Sequence, residues 1–171
     1  MLTKNQEKYL QKIPVATIVQ VRPWDPKAVA IANRLIDEIH SVIHGATVLF
    51  MGAAALGIAG QNDIDLYILH GENPNAFIRK IVKIFGPPMP DISIVKWQFQ
   101  RDGFDVELYI SDPATESMRE QIRIFEILRD DKQLRQRYEI LKKASDGFAL
   151  REYMRRKYEF FNELLNLDKF G

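Results

Sequence analysis

Residues 50–69 constrain the fold more than any other part of the chain. They join the end of one apolar strand, a turn of small residues, and a second strand that carries Asp63 and Asp65. Side chains two apart on a strand point to the same side of the sheet. The pattern therefore predicts neighbouring carboxylates on one face, with Ile64 and Leu66 facing the core. Two carboxylates so close repel each other unless water or a cation separates them, which suits Mg²⁺.

Three pairs of residues predict where helices begin, because each joins an Asp or Asn to a proline. Asp and Asn are favoured helix caps, and proline is favoured at the first helical position. Apolar residues then recur with a helical period. The pairs are Asp25-Pro26, Asn73-Pro74 and Asp112-Pro113.

Strands are predicted in the runs that are rich in β-branched and aromatic residues. Asp102-Gly103 between two such runs is typical of a β-hairpin. The predicted strands, or extended segments, are 13–21, 46–51, 63–69, 92–100 and 104–110.

The order of these elements is β-α-β-β-α-β-β, followed by helices only. This order predicts an α+β fold, in which helices pack on a mixed β-sheet. The predicted α/β core spans residues 1–112. A C-terminal helical subdomain over residues 113–171 is expected to pack on that core.

Composition narrows the class of protein. The 171 residues carry a net charge of +1, so no general basic field indicates nucleic acid. There is no cysteine, which excludes thiol nucleophiles and thiolate metal sites. No apolar run approaches the roughly 18 residues that a membrane span needs. We expect a cytoplasmic protein with no membrane partner; its oligomeric state is not specified by the sequence.

A later strand carries two more acids, Asp105 and Glu107, on one face. If this strand lies beside the one with Asp63 and Asp65, three or four carboxylates meet. A divalent cation held there would organise a nucleoside triphosphate and neutralise charge on leaving pyrophosphate. One carboxylate could take the proton of an attacking hydroxyl. Each acidic pair is, by itself, also an ordinary polar strand face.

The combined pattern resembles the nucleotidyltransferase superfamily related to DNA polymerase β. It consists of Gly-small-x-x-x-Gly, then Asp-Ile-Asp-Leu, then a hydrophobic residue with Asp-Val-Glu. Within that superfamily the chain resembles the GrpB family over about residues 17–168. Four segments carry this resemblance in the same order: 21–26 (Val-Arg-Pro-Trp-Asp-Pro), 51–60 (Met-Gly-Ala-Ala-Ala-Leu-Gly-Ile-Ala-Gly), 128–129 with 138–142, and 153–157 with Phe161.

The resemblance implies a nucleotidyltransferase fold and transfer of a nucleotidyl group from a nucleoside triphosphate, dependent on Mg²⁺ or Mn²⁺. The acceptor is not identified by the sequence. Asp63, Asp65 and Asp105 would be the catalytic acids and the metal ligands. Glu107 would be a further ligand in reserve.

The resemblance also implies nucleotide-binding residues outside the acids. Gly52 and Ala53 would present their backbone amides to the phosphates, because small residues allow the backbone to approach closely. Lys142 and Lys157 match family positions and could reach a phosphate from the helical subdomain. A helical lysine is otherwise an ordinary solvated residue.

Two departures from the family pattern bear on activity. Ala53 stands where the family has serine, and Gln61 stands where GrpB proteins usually have lysine. In the other direction, Asp63 and Asp65 form the full Asp-x-Asp that many GrpB members show only in part. The alternative hypothesis is a catalytically inactive nucleotide-binding or protein-interaction module of the same fold. A purely structural protein with surface acids is the third.

Overall fold

The computed structural model describes residues 1–71, 73–90 and 94–170, the last three of these by their backbone only. Two compact units make up the chain. The first comprises residues 1–23, 58–61 and 120–171, and the second comprises residues 24–57 and 62–119. The N-terminal segment therefore groups with the C-terminal helices, a division that differs from the predicted boundary after residue 112.

Seven helices and four strands are formed by the described residues. The helices are α1 (Lys4–Lys12), α2 (Lys27–Val42), α3 (Gly52–Leu56), α4 (Pro74–Phe85), α5 (Glu116–Asp130), α6 (Lys132–Ala144) and α7 (Leu150–Phe170). The strands are β1 (Thr47–Met51), β2 (Asp63–Leu69), β3 (Val95–Arg101) and β4 (Phe104–Ser111).

The four strands form one mixed sheet in the order β1-β2-β4-β3. The central pair, β2 and β4, is parallel, whereas β1 and β3 are antiparallel to their neighbours. Asp102 and Gly103 both have positive φ and form the two-residue turn between β3 and β4. This is the backbone conformation that an Asp-Gly hairpin turn requires, so the predicted hairpin is confirmed.

The core of the second unit lies between one face of the sheet and two helices. Alternate residues of β2 and β4 are buried there against α2 and α4. Trp97 is 2% exposed, and its indole N–H donates to the carbonyl of Gly86 at 2.8 Å. A buried donor with a partner carries little penalty. The buried members are Ala28, Ile31, Ala32, Leu35, Ile39, Ile43, Ile64, Leu66, Ile68, Ile81, Trp97, Phe104, Val106, Leu108 and Ile110.

The opposite face of the sheet carries the polar residues of the same strands. Residues 63, 65 and 67 of β2 are partly exposed, as are residues 107 and 109 of β4, and residue 105 is exposed. We call this side the polar face.

The predicted start of α4 is confirmed, whereas α2 begins one residue later than predicted, at Lys27 with Pro26 as its N-cap. The Asp25 carboxylate accepts from the backbone amide of Lys27 at 2.9 Å just before the helix. Pro74 is the first residue of α4, where its missing N–H has no consequence. After Asp112-Pro113 a short turn precedes α5, which begins at Glu116.

Three segments differ from the predictions. Residues 13–21 form no strand; Ile18 makes an isolated bridge to Ala149, and the rest is turn or extended chain. Residues 52–56, predicted as part of a turn, form the short helix α3. The predicted strand from Ile92 begins outside the described residues, and β3 starts at Val95.

The first unit is held together largely by α6 and α7. The ring of Tyr138 on α6 stacks on Phe160 of α7, with centroids 5.7 Å apart. Residues 58–61 belong to this unit, because Glu139 of α6 accepts from the amide of Ala59 at 3.1 Å. This hydrogen bond lowers the pKa of Glu139.

None of the helices among the described residues combines the length and the apolar character needed to cross a membrane.

Candidate functional site

The parallel pairing of β2 with β4 brings the predicted acids together on the polar face. Asp63 lies opposite Asp105 in the register, and Asp65 lies opposite Glu107. Neighbouring strands are about 4.8 Å apart, so the four side chains leave the sheet as two adjacent pairs. The sequence predicted which acids share a strand face, and the structure makes those two strands neighbours.

Gly52 lies directly beside Asp65. The residue has a φ of +83°, and a Cβ built on it would lie 2.5 Å from Oδ2 of Asp65. Any side chain at this position would occupy the space that the carboxylate fills. The first turn of α3 and the Asp-x-Asp strand are therefore in contact, as their predicted joint role requires.

Ala53 is the second residue of α3, and its side chain is buried. The first amides of a helix have no acceptor within the helix itself. With a methyl group in place of a hydroxyl, residue 53 offers only its backbone N–H as a donor to a ligand. The nucleotide-binding role of Gly52 and Ala53 stays a prediction.

The acids differ in their surroundings. Asp105 is exposed and accepts from the side-chain amide (Nε2) of Gln100 at 3.1 Å through one carboxylate oxygen. Glu107 accepts through both oxygens, from the ammonium of Lys96 and from the hydroxyl of Tyr109, each at 2.6 Å. Glu107 is thus occupied by donors within the protein, which disfavours the reserve ligand role predicted for it.

Among the described residues, no three His, Asp or Glu side chains stand close enough together to hold a metal ion by themselves. Mg²⁺, however, is usually held by one or two carboxylates, with substrate phosphates and water completing its shell. Asp63 lies opposite Asp105, and Asp65 shares their face of the sheet, so a pair of these carboxylates fits that requirement. The Gly52 backbone leaves room for the carboxylate of Asp65. The residues present therefore fit a divalent cation bound together with a polyphosphate.

Lys142 and Lys157 belong to the first unit. Lys142 is 5% exposed and donates to the hydroxyl of Tyr153 at 2.8 Å. Its ammonium lies 5.0 Å from the ring centroid of Tyr138. Lys157 is partly exposed and lies over the ring of Phe161. The predicted phosphate contact of these lysines stays a prediction, and the burial of Lys142 favours a structural role.

Tyr153 is an unusual partner for a buried ammonium group. Burial opposes ionisation of the phenol, but the charges of Lys157 and Lys142 lower its pKa below the ordinary value. The hydroxyl of Tyr153 accepts from the ammonium of Lys142 at 2.8 Å. Tyr153 acts as the polar partner of Lys142 in place of a carboxylate.

Sequence reasoning missed Lys96 and Tyr109, which surround Glu107. Burial first, and then the hydrogen bond to Glu107, raise the pKa of Tyr109, so its phenol remains a donor at neutral pH. A signal for the pair was present. A two-residue turn at Asp102-Gly103 pairs Arg101 with Phe104, and counting outward pairs Lys96 with Tyr109.

Comparison with solved structures identifies proteins that have a similar fold. It is similar to the conserved protein GrpB from Enterococcus faecalis, with a TM-score of 0.63 at 14% sequence identity. The similarity covers 85% of this chain and 97% of that one. The predicted α+β fold class and the resemblance to GrpB are confirmed at the level of the fold.

Two further similarities have TM-scores of 0.44. The Cid1 poly(U) polymerase with bound MgGTP is 14% identical, over 81% of this chain and 44% of that one. The GLD-2/RNP-8 complex is 11% identical, over 81% of this chain and 61% of that one. No protein-family model matches the sequence, and the search of curated proteins finds no match.

Proposed function

We propose that the chain transfers a nucleotidyl group from a nucleoside triphosphate to an acceptor hydroxyl, in the presence of Mg²⁺ or Mn²⁺. The observation that carries this proposal is the register of β2 and β4. Asp63 lies opposite Asp105, and Asp65 follows on the same face of β2. Gly52 lies against Asp65 at the start of α3. Carboxylates next to a helix start of small residues suit a polyphosphate with its cation.

In the proposed reaction the acceptor oxygen attacks the α-phosphorus, and the bond from that phosphorus to the leaving pyrophosphate breaks. A divalent cation, when bound, neutralises charge on the phosphate oxygens. Asp63 and Asp65 would hold that cation with the triphosphate. Asp105 is exposed and would take the proton of the acceptor hydroxyl. Gly52 and Ala53 would donate their amides to the phosphates.

The second candidate is a module that binds a nucleotide without transferring it. Two observations favour it. Ala53 offers no hydroxyl to the phosphates, and Glu107 is engaged by Lys96 and Tyr109. A binding module needs only the cation and the phosphate contacts, whereas turnover also needs a group that accepts the proton.

The test is incubation of the full chain with each α-labelled nucleoside triphosphate and Mg²⁺ or Mn²⁺. We expect pyrophosphate release or labelling of the chain, together with a nucleotide-dependent rise in Tm. Asp63→Asn and Asp65→Asn are expected to abolish these effects, because an amide removes the charge that holds the cation. Asp37→Asn, which changes an exposed acid on α2, is the matched control and is expected to behave as wild type.

The outcomes separate the two candidates. Metal-dependent binding that is lost in Asp63→Asn, with no pyrophosphate released by the wild type, would support the binding module. A wild-type chain whose Tm is unchanged by any nucleotide with either metal would contradict both candidates. An equal loss of binding or pyrophosphate release in Asp37→Asn would mean that the effect depends on the overall charge of the chain and not on the acids of the polar face.

A further inference from the structure

Glu107 on the polar face is neutralised within the protein. Its two carboxylate oxygens accept from Lys96 and Tyr109, each at 2.6 Å. The side chains of Lys96 and Glu107 are 20% and 26% exposed. An ion pair that is largely shielded from solvent is screened less than a surface pair, so it persists at ordinary ionic strength.

The donors of this carboxylate are themselves held in place. The ammonium of Lys96 lies 5.4 Å from the ring centroid of Tyr109, within the range of a cation–π contact. Tyr109 stacks on Tyr67 of the neighbouring strand, with centroids 4.8 Å apart and planes 9° apart. The ammonium of Lys96 is thus held beside Glu107 by an ion pair and a cation–π contact together.

We propose that Lys96 and Glu107 are a positioning pair that sets the divalent-cation affinity of the polar face, an inference that rests on the proposed function. Glu107 lies opposite Asp65 in the register, so its side chain leaves the sheet beside that of a proposed ligand. Paired with Lys96, Glu107 contributes no net charge to the site. Asp63, Asp65 and Asp105 then supply the negative charge that a cation meets.

The proposal predicts that loss of the Lys96 charge and loss of the Glu107 charge change the cation affinity in opposite directions. A role in packing alone does not predict this. Without the Lys96 charge, Glu107 becomes an additional carboxylate beside Asp65, and a cation should bind more tightly. Without the Glu107 charge, an unneutralised ammonium faces the site and should repel a cation. If the network serves only to pack the sheet, both changes should weaken folding and binding in the same direction.

The experiment is a titration of the full chain with Mn²⁺ in the presence of a non-hydrolysable nucleoside triphosphate, followed by electron paramagnetic resonance. Because one charge changes near a divalent ion, we expect Lys96→Met to tighten binding by about tenfold and Glu107→Gln to weaken it by a similar factor. The Lys96→Met/Glu107→Gln double variant has the wild-type net charge and is expected to bind close to wild type. Lys96→Arg keeps the charge and should also do so.

Lys83→Met is the matched control for the loss of one positive charge. Lys83 is an exposed residue of α4, the helix that packs on the core face of the sheet. We expect the affinity of the Lys83→Met variant for Mn²⁺ to differ from that of the wild type by less than about twofold, because solvent screens an exposed charge. Melting temperatures of all variants show that the compared chains are folded.

The outcomes distinguish this inference from the function on which it rests. If the wild type binds Mn²⁺ and Lys96→Met binds it equally or more weakly, the inference is wrong and the proposed function stands. If the wild type binds no Mn²⁺ either with or without the nucleotide analogue, the proposed function is overturned, and this inference falls with it. Opposite shifts in the single variants with recovery in the double variant support the pair.

Discussion

Gly52→Ala is expected to displace the carboxylate of Asp65 and to lower the free energy of unfolding by about 2 kcal/mol. A left-handed backbone disfavours L residues by about 1–2 kcal/mol, and Gly52 has a φ of +83°. The new Cβ would also lie 2.5 Å from Oδ2 of Asp65, closer than any van der Waals contact. Because the carboxylate must move, the variant should also lose affinity for Mn²⁺.

Gly45→Ala separates the two contributions. Gly45 has a φ of +71°, but a Cβ there would meet nothing within 4 Å. This control should therefore show the backbone contribution only, with unchanged Mn²⁺ binding. In an Asp65→Ala background the carboxylate that the new Cβ would meet is absent. There, Gly52→Ala should lower the free energy of unfolding by no more than Gly45→Ala does in the wild-type chain. Urea unfolding measures the stabilities, and equal stability and binding in Gly45→Ala and Gly52→Ala would contradict the expectation.

The local part of the fold was predictable because it depends on local chemistry. The pair Asp25-Pro26 directly precedes α2, and Pro74 begins α4, through preferences that a few neighbouring residues set. The Asp102-Gly103 turn follows from the backbone freedom of the same two residues. The strand over residues 63–69 was predicted with its bounds, because Ile64, Leu66 and Ile68 place an apolar residue at every second position.

Two local predictions were wrong for identifiable reasons. Residues 52–56 read Gly-Ala-Ala-Ala-Leu, and small size favoured a turn, but alanine and leucine are strong helix formers. Residues 13–21 are rich in β-branched side chains, which favoured a strand. A strand needs a continuous partner edge, however, and among the described residues this segment pairs with residues 147–150 only over Thr17–Val19, as a single bridge.

The candidate site depended on contacts between distant parts of the chain. That Asp63 and Asp65 share a face follows from the period of a strand. That β2 lies beside β4, with Asp63 opposite Asp105, does not, because any two strands of this sheet could be neighbours. The state of Glu107 depends on a third strand, since Lys96 reaches it from β3. Counting outward from the hairpin turn would have paired Lys96 with Tyr109, but not with the carboxylate beside it.

Tyr153→Phe is expected to lower the free energy of unfolding by about 2–3 kcal/mol, although it removes a single oxygen. The hydroxyl of Tyr153 is the acceptor for the ammonium of Lys142, which is 5% exposed. Removing one partner of a buried charged group leaves the other with its full desolvation penalty. The rings of Tyr138 and residue 153 would remain near the ammonium, but a ring face is a weaker partner than an oxygen.

Lys142→Met should lower the same free energy by about 1 kcal/mol, less than Tyr153→Phe does, because it leaves a neutral hydroxyl without its donor and not a charged group without its acceptor. In the Lys142→Met background, Tyr153→Phe should then lose most of its effect, since no ammonium is left to satisfy. Lys143→Met, on the same helix, is the control; that side chain is 60% exposed and pairs with Glu139, so little change is expected. Urea unfolding of the four variants measures the coupling. A Tyr153→Phe loss of the same size with and without Lys142 would mean that the hydroxyl serves some other group, and Lys142 would then be held by its aromatic neighbours.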